Sequence, residues 1–101
     1  MKKIINGKKY DTDTAECVGY WSNGYNYGDF QRAEERLFRK KTGEFFLQGE
    51  GGPMSSYAES YGNETSGGNE IIPLSEDEAK EWAEKHLDGD EYEDIFGEVE
   101  E

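Results

Sequence analysis

Asp88, Asp90 and Asp94 lie close together near the end of the 101-residue chain, and clustered carboxylates are what a hard divalent cation takes as ligands. A calcium loop of the EF-hand kind opening at Asp88 needs glycine at its sixth position and glutamate at its twelfth, where the sequence has Glu93 and Val99. The group then reads as a solvated acidic face, with a weak divalent-ion site near these aspartates as the open alternative. The one thiol, Cys17, and the one imidazole, His86, are the parts of a cysteine nucleophile and its base. Nothing beside either residue would activate the thiol, so Cys17 reads as a small core residue and His86 as the edge of an apolar helix stripe. The 24 acidic residues contain many chance pairs, which deprives a glycosidase-type carboxylate pair of specificity. Gly49-Glu50-Gly51-Gly52 lacks the Gly-Lys-Ser/Thr ending of a phosphate loop, and Glu50 would repel the ligand. No residue is therefore assigned to catalysis, to a metal or to a cofactor, and the expectation is a protein that binds rather than an enzyme.

What remains is charge. Residues 1–74 carry 11 acidic and 9 basic side chains, whereas residues 75–101 carry 13 acidic and 2 basic, so nearly all of the net charge of -13 belongs to the last quarter. A field of that sign repels phosphates and attracts basic surfaces, which points to a basic protein partner and away from direct contact with nucleic acid. On a helix, Asp77, Glu81, Glu84 and Asp88 would form one ridge turned away from Trp82. Glu91 and Asp94 would extend this acidic surface. Tyr25 and Tyr27, framed by glycine and asparagine, together with Tyr57 and Tyr61, suit the rim of an interface. The basic residues Lys2, Lys3, Lys8, Lys9, Arg32, Arg36, Arg39, Lys40 and Lys41 read as the solvated face of hairpins, which also protects sheet edges. A homodimer built on the aromatic surface, with the acid serving solubility alone, is the alternative.

The elements that position these residues follow from local pattern. One domain over 1–101 is expected, because this length holds a single core, and 14% aromatic residues against 33% hydrophobic ones imply a thin core of rings. Asn6-Gly7 between two short runs predicts a hairpin over about 3–10. Asp13 with Glu16 imitates a capping box and predicts a short helix near 14–21, weakened by Gly19. Ala33–Lys40 and Glu44–Gln48 around the Lys41-Thr42-Gly43 turn predict the central hairpin, 33–48, with Leu37, Phe38, Phe45, Phe46 and Leu47 at the centre of the core. Residues 49–69 read as a Gly/Ser/Asn-rich loop, and 70–74 as a short strand that Pro73 places at an edge or at its end. Ser75 with Glu78 is a capping box for a helix over about 76–87, with Trp82 facing the sheet. Asp90 is the expected cap of a second helix, 90–96, followed by an acidic tail, 97–101. The class is α+β. A single cysteine and the lack of a long apolar run suggest a reduced, cytoplasmic setting without a membrane segment.

Three stretches carry a resemblance: Lys3-Ile4-Ile5-Asn6-Gly7-Lys8-Lys9-Tyr10-Asp11-Thr12, Phe45-Phe46-Leu47-Gln48-Gly49-Glu50-Gly51-Gly52 and Ile71-Ile72-Pro73-Leu74-Ser75. In these the chain resembles short proteins of phages and mobile elements in Firmicutes, a group without an assigned activity. In character, though not in motif, it is also similar to the small acidic anti-CRISPR proteins that imitate DNA. That likeness implies an inhibitor of a CRISPR effector or another nucleic-acid-handling defence protein, and it carries no site residues with it.

Overall fold

Asn6 and Gly7 both adopt positive φ, 52° and 78°, and reverse the chain between β1 (Lys2–Ile5) and β2 (Lys8–Asp11) in the computed structural model. The structure describes residues 1–26 and 28–101, and of Tyr61 the backbone alone. A four-stranded antiparallel sheet follows in the order β3 (Glu16–Ser22), β4 (Ala33–Arg39), β5 (Phe45–Gly51), β8 (Gly68–Leu74). Between β5 and β8 a small hairpin pairs β6 (Glu59–Tyr61) with β7 (Glu64–Ser66). Two helices close the chain, α1 (Glu76–His86) and α2 (Gly89–Phe96). The α+β class and the central hairpin agree with the sequence expectation, and Pro73 does sit on an edge strand, where its missing N–H costs no ladder bond.

Strand alternation divides the five expected core residues between two faces of the sheet. Leu37, Phe45 and Leu47 meet Ala79, Trp82 and Ala83 of α1, with Tyr92, Ile95 and Phe96 of α2 packed alongside. Phe38 and Phe46 point the other way and are covered by the β1–β2 hairpin through Tyr10, beside Ile71. Phe38 and Phe46 stack at 5.1 Å, and Tyr10 meets Phe46 edge-on at 5.5 Å. The molecule is therefore three layers: hairpin, sheet, helices.

Three expectations are corrected. The segment expected as a helix near 14–21 is strand β3: Asp11 accepts the Asp13 N–H at 2.9 Å and turns the chain, so Asp13 caps nothing. Pairing to β4, with a bulge between Cys17 and Gly19, then satisfies the backbone, and long-range pairing overrides the local helix signal. The expected loop 49–69 is largely organised: β5 runs to Gly51, β8 starts at Gly68, and β6 and β7 lie between. The second helix is capped by Asp88, which accepts the Glu91 N–H at 2.8 Å, and Asp90 falls within its first turn.

Candidate functional site

Helix α1 begins where the capping box requires. Ser75 Oγ accepts the Glu78 N–H at 3.1 Å and Glu78 Oε1 accepts the Ser75 N–H at 2.9 Å. These bonds hold the Glu78 carboxyl below its ordinary range. At about 100° per residue, Ala79, Trp82 and Ala83 face the sheet and are buried, while Asp77, Glu81 and Glu84 share the opposite, exposed face. Among the described residues none of these three carboxylates makes an ion pair, the one pair within α1 being Lys80–Glu76 at 3.6 Å. Asp88 does not extend that ridge: α1 ends at His86, Leu87 is extended, and Asp88 is committed to capping α2. Glu91 and Asp94 are exposed on α2, again without an ion pair among the described residues.

The turn between the helices opens a cleft of about 520 Å³ whose walls include Glu84, Leu87, Asp88, Asp90, Tyr92 and Glu93. Asp94 is not part of it, so the three aspartates are not gathered around one point. Among the described residues no group of three or more His, Cys, Asp or Glu side chains is placed to hold a metal ion. The tail folds back at its start, with the Val99 N–H donating to Glu93 Oε2 at 2.9 Å.

The tyrosines divide. Tyr25 is 47% exposed, as an interface rim requires, whereas Tyr57 is buried, contrary to expectation. Tyr27 and the side chain of Tyr61 lie outside the described residues. Cys17 is exposed rather than in the core. It stands opposite Phe38, on the face away from α1, while His86 lies on the α1 side, so the structure does not join the pair.

His86 belongs instead to a network that the sequence reading missed. Glu35 of β4 accepts the Trp82 indole N–H at 2.9 Å and the Tyr57 hydroxyl, and His86 Nε2 stands 3.8 Å from the same carboxylate. Trp21 and Trp82 flank the imidazole at centroid distances of 4.5 and 5.2 Å. Trp21, Glu35, Gly49 and Glu70 form one row across the sheet, and a Cβ at Gly49 would overlap the Tyr57 ring. Burial lowers the His86 pKa, with Lys85 acting the same way and Glu35 opposing. Burial first, then the bond to Glu35, raises that of Tyr57. The available signal was alternation: Glu35 shares a face with Leu37 and therefore points at the helices.

The basic residues are not one stripe. Arg32 is buried, Arg36 is held by Glu34 at 3.3 Å and Glu50 at 3.2 Å, and Arg39 reaches Glu16 at 3.1 Å and the Ile95 carbonyl at 3.2 Å. No helix among the described residues is long and apolar enough to cross a membrane. Comparison with family models, curated proteins and solved structures finds no match.

Proposed function

We propose that this chain is a phage or mobile-element inhibitor that binds a basic nucleic-acid-handling protein, such as a CRISPR effector, through the acidic face of its two helices. The observation that supports this reading is the state of Asp77, Glu81, Glu84, Glu91 and Asp94: all are exposed, and none is neutralised by an ion pair among the described residues. A cation-lined groove shaped for phosphates would meet the same sign of charge here. The cost of holding like charges at helical spacing, a few tenths of a kcal/mol per pair, is offset where such a groove supplies the counter-charge. The resemblance to mobile-element proteins favours a defence protein as the owner of that groove. Binding of the purified chain to a candidate effector, measured across a salt series, should weaken steeply as salt rises, and the double reversal Glu81→Lys, Glu84→Lys should abolish it. Affinity that ignores both changes would refute the proposal.

A second reading, a non-enzymatic adaptor that pairs with itself, draws on a different observation. Tyr25, Phe30 and Met54 are exposed by 47%, 64% and 64%, and the Met54 N–H donates to the Phe30 carbonyl at 2.7 Å, which holds the last two together. Sedimentation of the full chain separates the readings: a dimer insensitive to salt and lost in Phe30→Ser favours the adaptor.

A further inference from the structure

A groove of about 460 Å³ runs between the β1–β2 hairpin and the β4–β5 turn, lined by Lys8, Lys9, Thr14, Lys40, Lys41 and Thr42. Two carboxylates share it, Asp11 and Glu44, and both are occupied. Asp11 accepts the Asp13 N–H, and Glu44 takes Lys8 at 3.0 Å, Lys40 at 3.8 Å and the Thr42 hydroxyl at 3.2 Å. Lys40 is also fixed in place, with its ammonium 3.8 Å from the centre of the Tyr10 ring and its side chain 14% exposed. Lys9 and Lys41 are left exposed, without an ion pair among the described residues. An adjoining groove of about 540 Å³ shares Thr14, Lys40 and Lys41; the Arg39 it adds is paired at 3.1 Å with Glu16, which lines the same groove, so the unpaired positive charge among the described residues here is that of Lys9 and Lys41.

A groove walled by four ammonium groups, two of them without an ion pair among the described residues, suits a polyanion. Lysine meets phosphate as a point charge, and contacts to phosphate position a strand without reading its sequence. The groove lining contains no aromatic ring and no asparagine or glutamine that would read a base. The acidic helices do not cancel this site. They pack on the opposite face of the sheet from the hairpin, two layer spacings of about 10 Å away. We propose that this groove binds the sugar-phosphate backbone of a nucleic-acid strand. The chain then offers carboxylates to a protein on one face and lysines to phosphates on the other, in place of the sequence expectation of no direct nucleic-acid contact.

The test uses the full chain alone, so its outcome is independent of whether the acidic face has a protein target. Fluorescence anisotropy of a labelled single-stranded DNA of mixed sequence, at low salt, should show saturable binding that weakens as salt rises. Lys9→Glu with Lys41→Glu should reduce affinity by about tenfold or more, and the milder Lys9→Gln with Lys41→Gln should lower the slope against log salt by about 0.7 per lost contact. Glu81→Lys with Glu84→Lys should leave binding in place. Circular dichroism of each variant separates loss of the site from loss of the fold. The proposal is overturned by absence of saturable binding at low salt, by binding that the folded lysine variants retain in full, or by equal competition from polyglutamate at matched charge.

Discussion

Glu35 joins Tyr57, Trp82 and His86 on the helix side of the sheet. One carboxylate ties strand β4 to helix α1 through Trp82, and to the segment after β5 through Tyr57. Glu35→Gln keeps the shape but removes the charge that both partners meet; with its amide oxygen on the Trp82 N–H, its N–H₂ faces the Tyr57 hydroxyl, which then accepts instead of donating. Exchanging charge-assisted bonds for neutral ones costs about 1 kcal/mol, so the urea midpoint followed by tryptophan fluorescence should fall by the corresponding amount. His86 adds a pH dependence of definite sign. Its pKa lies below the ordinary 6.5 in the native protein, chiefly because it is buried. In the unfolded chain the ring recovers the ordinary value, so below that pH the unfolded state binds a proton the native state does not. The contribution is complete above the ordinary value and is lost as pH falls through the lowered one. Stability should therefore decline as pH falls below the ordinary value of 6.5, and His86→Phe should flatten this part of the profile in urea denaturation. Glu78 and Glu44, whose pKa values are lowered from 4.5 by Ser75 and Lys8 respectively, act in a separate and more acidic window.

At the scale of elements, what could be read from the sequence was what is decided locally. Helix α1 has its capping box and its apolar stripe within one stretch of chain, and the structure reproduces both. Ser75→Ala removes one half of that box and should lower stability by about 1 kcal/mol, measured by urea denaturation at neutral pH. Strand β3 was not legible because Asp13 and Glu16 are a local imitation of a helix start, whereas its partner, β4, lies beyond a long connection. The glycines from Gly49 onward were read as looseness for the same reason. Gly49 is small because Tyr57 lies across it, a contact between residues whose sequence patterns do not refer to each other. Gly49→Ala should thus cost about 1–3 kcal/mol by overpacking, far more than an alanine in an open loop, and thermal unfolding distinguishes the two. The acidic face was legible in α1 up to Glu84 and misread at Asp88, where a second helix start interrupts the spacing.

Across the whole molecule, the charge distribution bears on stability as well as on partners. The acidic helices and the hairpin with its lysines lie on opposite faces of the sheet. Within the helices, Asp77 and Glu81 are four residues apart and Glu81 and Glu84 three, with like charge and no ion pair among the described residues. Such neighbours oppose the helix by a few tenths of a kcal/mol each, and the remaining negative charge adds a diffuse repulsion. Salt screens both, while the buried contacts of Phe46 and Leu37 are indifferent to modest ionic strength. Raising sodium chloride from low to physiological levels should therefore raise the Tm of the isolated protein at neutral pH. Glu81→Gln with Glu84→Gln should raise it at low salt and lose that advantage as salt increases. The same double change should weaken any basic partner. Opposite effects on stability and binding from one pair of residues are what a surface kept for recognition produces, whereas a surface kept for solubility alone would show the first effect without the second.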